Sequence, residues 1–126
     1  MKEWTCVIVL DQDSLLLGKR LGSFMSGSWG LAGGKLEPNE TPIDCAKREL
    51  QEETNLTATS LDPFGLIKEK RGLHHVYVVK NYIGKVKNLE PNRCEEWEWV
   101  TFPSKIKRNL VPAHRQAIEA YKNTLL

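Results

Sequence analysis

The chain has few cysteines, no long apolar run and no dense block of basic residues. Its three cysteines are far apart and form no C-x-x-C pair, which predicts free thiols in a reducing compartment. No apolar run approaches the roughly 20 residues that a membrane span needs, and the N-terminal residues lack the apolar stretch of a signal peptide. We therefore expect a cytoplasmic protein without a membrane partner. The absence of a Lys/Arg block also argues against a stable nucleic-acid complex.

The charges that are present are distributed unevenly along the chain. Residues 1–63 contain ten acidic and six basic side chains, whereas residues 64–126 contain six acidic and twelve basic ones. The length of 126 residues and the apolar content are typical of one globular domain, expected to cover residues 1–126. The acidic side chains of the first half therefore need a local explanation.

The distribution of apolar residues predicts a mixed sheet covered by helices. Four segments rich in β-branched, aromatic or aliphatic residues are expected to be strands: residues 5–10, 14–20, 73–83 and 95–102. The polar turn Asp11-Gln12-Asp13 should join the first two strands as a hairpin. A final helix is expected over residues 113–125.

The clearest helix is predicted from Pro42 to Thr54. Thr41 can act as its N-cap, Pro42 suits the first helical position, and Asn55 can supply a left-handed residue after the last turn. Residues at helical spacing should form the side that faces a core: Ile43, Ala46, Leu50 and Thr54.

Three glutamates lie beside this apolar stripe. Glu49, Glu52 and Glu53 occupy an arc of about 100° on the helix, next to the side expected to be buried. At separations of 5–6 Å, like charges repel by about 3 kcal/mol at an effective dielectric constant of 20. Arg48 can offset part of this repulsion for Glu52 but cannot easily serve the other two glutamates as well. A bound cation would relieve the remainder.

Carboxylates without neighbouring histidine or cysteine suit Mg²⁺ or Mn²⁺ rather than zinc. Mg²⁺ usually takes one or two protein carboxylates and completes its coordination with water and phosphate oxygens. The helix therefore indicates a phosphorylated substrate. A solvated acidic helix face without a function is the alternative that the helix alone leaves open.

The loop before the helix extends the pattern. The spacing G-x5-E-x7-R-E-U-x-E-E-x-G-U, with U aliphatic, is matched at Gly34, Glu40, Arg48-Glu49-Leu50, Glu52-Glu53 and Leu56. Through this segment, residues 34–56 (the Nudix box), the chain resembles the Nudix (MutT-like) hydrolase family. Asn55 replaces the last glycine of the pattern, and Ala32 stands where many members have proline. Neither difference removes a metal ligand.

The resemblance implies an α/β fold of the Nudix type, an α/β/α sandwich with a mixed β-sheet and a catalytic loop-helix-loop. It also implies a Mg²⁺-dependent enzyme, active as a monomer or homodimer, that sanitises the nucleotide pool. Such an enzyme cleaves a (d)NTP, including a damaged one, to (d)NMP and pyrophosphate. Divalent ions would shield the phosphate charge and lower the pKa of the attacking water.

Residue roles follow from the same resemblance. Glu49, Glu52 and Glu53 are the implied metal ligands, together with a carbonyl group near Gly33. Either Glu52 or Glu53 would activate the attacking water, and Arg48 with Glu40 would orient the carboxylates. The implied substrate contacts are Lys19, Arg20, Leu31 and Gly34. A further acidic ligand is expected among Glu90, Glu95 and Glu96.

Two other functions stay open. The chain could act on a different nucleoside diphosphate derivative, such as a nucleotide sugar, a dinucleotide or a capped RNA. It could also be an inactive domain that binds a nucleotide or a protein. The short chain and the complete set of box glutamates favour the (d)NTP hydrolase.

Several conspicuous side chains are expected to have no catalytic function. His74 and His75 are adjacent in a strand and should point to opposite faces, so they cannot chelate one ion together. His114 is expected at the surface. Trp97 and Trp99 share one face of a strand and are expected to be core residues.

Overall fold

A computed structural model of the chain describes residues 2–22, 25–104 and 106–125. The strands in these ranges are β1 (Lys2–Asp11), β2 (Ser14–Arg20), β3 (Trp29–Gly30), β4 (Thr57–Ala58), β5 (Asp62–Glu69), β6 (Gly72–Val79), β7 (Tyr82–Ile83) and β8 (Cys94–Thr101). The helices are α1 (Pro42–Thr54) and α2 (Pro112–Asn123).

The described strands form one large mixed sheet and one short sheet. The large sheet has the order β3-β2-β1-β6-β5, with β8 also paired to β2. β1 runs parallel to β6, whereas the other pairs are antiparallel. The short sheet consists of β4 and β7. The expectation of a mixed sheet is confirmed.

The sheet separates two hydrophobic clusters because side chains alternate along β1. Cys6 and Ile8 belong to the cluster that includes α2, whereas Val7 and Val9 belong to the cluster that includes α1. The helical members of the two clusters are Ala46 and Leu50 from α1, and Ala117, Ile118 and Tyr121 from α2. The helices therefore cover opposite faces of the sheet, which confirms the α/β/α sandwich.

Helix α1 has the bounds and the caps that its sequence predicts. The Thr41 hydroxyl accepts a hydrogen bond from the Asp44 backbone N–H at 3.2 Å, and Asn55 has φ +70° after the last turn. The prediction for Ile43 is wrong, because 36% of this residue is exposed.

The buried side of α1 extends further toward Glu53 than the sequence predicts. Its buried residues are Cys45, Ala46, Leu50 and Thr54. At 100° per residue, the centre of this arc lies close to Glu53. The acidic side of the helix thus faces inward at Glu53, toward the preceding loop. Ile43 lies between Leu50 and Thr54 in angle, but it belongs to the first turn of the helix, and it is exposed there.

Several predicted strand bounds differ from the observed ones. The strand expected over residues 73–83 is divided, because β6 ends at Val79 and β7 pairs with β4 in the short sheet. Strand β1 starts earlier than expected, since its first residue, Lys2, pairs with Gly72 of β6. Strand β5 was not predicted. It lies at the edge of the sheet, and most of its side chains are exposed, so it lacks a clear apolar alternation.

Neither helix within the described ranges has the length and the apolar character needed to cross a lipid bilayer.

Candidate active site

The loop before α1 is held against β1 by backbone hydrogen bonds. Thr5 N–H donates to the Gly34 carbonyl and Val7 N–H donates to the Ala32 carbonyl, both at 2.8 Å. Gly33 has φ +145°, and a Cβ at this position would overlap the Thr5 carbonyl. Only glycine fits at residue 33 without displacing the loop from β1.

Glu53 connects α1 to this loop. Its Oε1 accepts a hydrogen bond from Gly33 N–H at 2.8 Å. The pKa of the Glu53 carboxyl is raised to about 8, mainly by burial and also by the charges of Glu49 and Glu90, against the opposing effects of the Gly33 bond and of Arg20. The carboxyl therefore lies in a site that disfavours its negative charge when no cation is bound.

Glu49 lies beside Glu53 and packs against Gly34. Its side chain is 14% exposed, and its Oε1 accepts a hydrogen bond from Arg48 Nη1 at 2.6 Å. Burial raises the pKa of Glu49, and the charges of Glu52 and Glu90 add to this, whereas Arg48 lowers it. Two adjacent carboxyls with raised pKa values thus face the same loop.

Arg48 donates hydrogen bonds to three carboxylates. It donates from Nε to Glu40 Oε2 at 2.7 Å and from Nη2 to Glu40 Oε1 at 3.0 Å, a bidentate pair that lowers the pKa of Glu40 to about 2. Its Nη1 donates to Glu49 and, at 3.2 Å, to Glu52.

The expectation that Arg48 could not easily serve Glu49 and Glu53 as well as Glu52 is wrong for Glu49. A planar guanidinium carries five N–H donors, so one arginine can bond several carboxylates in different directions. Through its Nη1, Arg48 therefore holds both the Glu49 and the Glu52 carboxylates.

The three box glutamates differ in exposure. Glu49 and Glu53 line a cavity of about 670 Å³, whereas Glu52 lies outside its lining with a side chain that is 49% exposed. Among the additional acids, Glu90 lines this cavity and acts on the pKa of both Glu49 and Glu53. The structure therefore brings Glu49, Glu53 and Glu90 together.

Glu95 and Glu96 lie elsewhere. Glu95 forms an ion pair with Lys19 at 2.9 Å, and Glu96 is an exposed residue outside the cavity lining. Neither joins the cluster of Glu49, Glu53 and Glu90 at the cavity.

The residues expected to contact substrate all line the cavity: Lys19, Arg20, Leu31 and Gly34. The two basic ones differ in their surroundings. The charge of Arg20 acts on Glu53, while the Lys19 ammonium is bound to Glu95. Arg20 is therefore the basic residue more closely associated with the glutamates.

Two histidines also line the cavity. The prediction that His114 lies at the surface is wrong, since it is only 9% exposed and its Nδ1 accepts a hydrogen bond from Leu31 N–H at 2.9 Å. Burial lowers the pKa of His114 to about 3, so its imidazole is neutral. The second, His74, is 5% exposed, and its Nε2 lies 2.8 Å from Glu69 Oε1.

Trp97 lines the cavity and also packs against the hydrophobic cluster on the α1 side of the sheet, whereas Trp99, also expected in the core, is 37% exposed. A Cβ at Gly18 would lie 2.7 Å from the Trp97 ring, and a Cβ at Gly30 would lie 2.6 Å from His114 Nδ1. A glycine inside a strand often marks the close approach of another group. These two glycines are the sequence signal that could have identified the tryptophan and the histidine as cavity residues.

Known proteins share this fold and parts of this sequence. Residues 2–121 match the family model described as the NUDIX domain. The MutT NUDIX hydrolase of Burkholderia pseudomallei superposes with a TM-score of 0.87 at 24% identity, covering 94% of this chain and 95% of that one.

Two curated relatives match different shares of the chain. The oxidized purine nucleoside triphosphate hydrolase of Mus musculus is 42% identical over 64 residues, which are 51% of this chain and 41% of the relative. The RNA pyrophosphohydrolase of Erythrobacter litoralis is 25% identical over 90% of this chain and 84% of its own length. The chain thus matches less than half the length of the mouse relative.

The family model spans nearly the whole chain, and its glycine loop and glutamate-bearing helix are the parts that the structure brings together at the cavity. The chain therefore belongs to the NUDIX domain family.

Proposed function

We propose that this protein is a divalent-metal-dependent pyrophosphohydrolase that converts a (d)NTP to (d)NMP and pyrophosphate, with a role in sanitation of the nucleotide pool. The observation that carries the proposal is that Glu49, Glu53, Glu90 and the glycine loop line the same cavity of about 670 Å³. A cavity of this volume is within the range of small-molecule sites.

The residues at the glutamate cluster fit a hard divalent cation. All three carboxylates offer oxygen donors, which Mg²⁺ and Mn²⁺ prefer. The pKa of Glu53 is raised to about 8 mainly by burial, so a cation at this position would favour the ionised form. Glu49, Glu53 and Glu90 would hold the ion, with Glu52 and the Gly33 carbonyl as further oxygen donors.

A bound divalent ion would shield the phosphate charge and lower the pKa of water. The chain's own residues would orient the reactants and handle the proton. Of the two glutamates considered as the base, Glu53 faces the cavity, whereas Glu52 is exposed and bonded to Arg48. This favours Glu53 as the group that accepts the proton of the attacking water.

Arg48 and Arg20 would support the reaction in different ways. Arg48 holds the Glu49 carboxylate in place through a 2.6 Å bond and does not need to touch the substrate. Arg20 lines the cavity and would stabilise negative charge on the phosphates as the products separate. Lys19 would contribute less because its ammonium is paired with Glu95.

The relatives support two substrate classes. The name of the mouse relative supports a purine nucleoside triphosphate, including an oxidised one, although that match covers only half of this chain. The RNA pyrophosphohydrolase relative matches over 90% of this chain, and this favours an RNA 5′ end as the second candidate substrate. The site chemistry, attack on a phosphoric anhydride, is the same for both.

The test is a substrate panel with Mg²⁺. It would contain standard and oxidised (d)NTPs, a nucleotide sugar, a dinucleotide and a 5′-triphosphorylated RNA, with pyrophosphate and phosphate release measured separately. The proposal predicts fastest pyrophosphate release from a (d)NTP, and the same panel with Glu49→Gln protein as the control would show little release. Turnover of the RNA alone would support the second candidate, and no turnover of any compound would contradict a hydrolytic function.

A further inference from the structure

In addition to the glutamates, the cavity has a cluster of sulfur and nitrogen ligands. Cys6 is on β1, His74 on β6 and His114 on α2, and these residues are 0%, 5% and 9% exposed. One ligand atom from each lies within 4.8 Å of the other two. We propose that Cys6, His74 and His114 form a second metal site, specific for a thiophilic divalent ion of the zinc class.

His74 is already oriented as a metal ligand. Its Nε2 lies 2.8 Å from Glu69 Oε1, and its Nδ1 lies 3.7 Å from Cys6 Sγ. An ionised carboxylate only accepts hydrogen bonds, so Nε2 carries the proton and the Nδ1 lone pair is directed to the thiol. A carboxylate that fixes the second nitrogen of a histidine is the usual support for a metal-bound imidazole.

The spacing of the ligand atoms suits zinc. Tetrahedral zinc has bonds of about 2.3 Å to sulfur and about 2.0 Å to nitrogen, which places adjacent ligands about 3.5 Å apart. The 3.7 Å between Cys6 Sγ and His74 Nδ1 is close to this value. All three ligand atoms lie within 4.8 Å of one another, so a shift of at most about 1.5 Å would complete a three-ligand set.

Coordination by His114 would cost one hydrogen bond. Its Nδ1 accepts from Leu31 N–H, so a neutral imidazole must release that bond to present a lone pair to an ion. A single backbone hydrogen bond contributes much less free energy than zinc coordination by a protein. The hydrogen bond therefore does not prevent metal binding.

The cavity gives an ion access to the cluster. His74 and His114 line the cavity, while Cys6 lies beneath them in the core. The fourth position would face the cavity and take water. On coordination the Cys6 thiol becomes a thiolate, and its proton passes to the solvent. The sulfur and nitrogen donors separate this site from the oxygen donors of Glu49 and Glu53, since zinc prefers the former and Mg²⁺ the latter.

The experiment is a Co²⁺ titration of the reduced full chain with Mg²⁺ in excess, followed by near-ultraviolet absorption. Cobalt bound to a thiolate gives a charge-transfer band that cobalt on carboxylates does not give. We expect one equivalent of Co²⁺ to produce the band and Zn²⁺ to displace it. The readout does not depend on hydrolysis, so it is independent of the proposed function.

Single substitutions identify the ligands. Cys6→Ala should abolish the band, whereas Cys45→Ala and Cys94→Ala should keep it. Glu69→Gln should keep the band and weaken Co²⁺ binding by about 10- to 100-fold, the usual cost of losing the group that supports a metal-bound histidine.

The site would be ruled out by an absent band in the unsubstituted protein, or by a band that persists in Cys6→Ala protein with an unchanged circular dichroism spectrum. If Cys6→Ala does not fold, His74→Gln decides the question. Unchanged Co²⁺ affinity in that variant contradicts the site, and an affinity loss of more than 10-fold supports it.

Discussion

The Glu49 carboxyl packs directly against Gly34, such that a Cβ at residue 34 would lie 2.6 Å from Glu49 Cδ. The glycine is required here by the neighbouring carboxylate. Gly33 differs, because its positive φ and its contact with the Thr5 carbonyl exclude a side chain on backbone grounds. The two adjacent glycines therefore have separate functions, one in holding the loop against β1 and one in positioning an acidic side chain.

Gly34→Ala is expected to displace the Glu49 carboxylate while the fold persists, since the clash involves the flexible end of a side chain. Metal-dependent turnover should fall by about 10- to 100-fold, as for other losses of ligand orientation. Steady-state kinetics against Mg²⁺ concentration and a melting curve would measure both effects. Gly65→Ala is the matched control because a Cβ there meets nothing within 4 Å. Equal activity in the two variants would contradict the positioning role of Gly34.

Arg48→Lys should destabilise the protein even though the charge is retained. Lysine cannot form the bidentate pair with Glu40 while also donating to Glu49. Losing hydrogen bonds to charged groups costs about 1.5–3 kcal/mol each, and the lysine would recover part of this. Urea denaturation should show a loss of about 1–3 kcal/mol in the free energy of unfolding. Lys47→Arg, at an exposed neighbouring position, should change the free energy of unfolding little. An equally small effect of Arg48→Lys would show that the hydrogen bonds of Arg48 to Glu40 and Glu49 do not stabilise the fold.

Glu53→Gln should stabilise the metal-free protein at pH 8. The pKa of Glu53 is about 8 in the fold, against an ordinary value of 4.5, so the folded state holds a proton that the unfolded state has lost between these pH values. The free energy of unfolding of the unsubstituted protein therefore falls as the pH rises from about 4.5 to 8. Glutamine avoids this loss and can still accept the Gly33 hydrogen bond.

Thermal melts with a chelator present would measure this effect. At pH 8 the variant should be more stable by at least about 1 kcal/mol, or roughly 3–6 °C in Tm, and near pH 4.5 the two proteins should melt alike. Added Mg²⁺ should raise the Tm of the unsubstituted protein and leave the variant nearly unchanged. A parallel pH dependence in both proteins would contradict the raised pKa of Glu53.

Local signals in the sequence predicted helix α1 well. Thr41, Pro42 and Asn55 act within one turn of the helix ends, so the bounds 42–54 do not depend on the rest of the fold. The spacing of the box was sufficient to predict the family and the α/β/α sandwich. These features are encoded over short stretches of the chain, and a single sequence can therefore reveal them.

Features that depend on distant contacts were not predictable in the same way. The exposure of Ile43 depends on which neighbours the loop and the sheet place against the first turn of α1, and its position on the apolar stripe does not reveal them. Strand β5 exists because its backbone pairs with β6, although its exposed side chains give little alternation. His114 is buried because α2 places it beside Leu31, which is 83 residues away in the sequence.

The most direct test of the account is Mg²⁺-dependent pyrophosphate release by Glu53→Gln protein, using the best nucleotide of the substrate panel. Glu119→Gln, on the exposed side of α2, is the control. We predict that the rate falls by at least about 100-fold in Glu53→Gln protein, the scale on which one stabilising group contributes to a transition state, and that the control keeps its rate. Full Mg²⁺-dependent activity in folded Glu53→Gln protein would contradict the assignment of this carboxylate cluster as the active site.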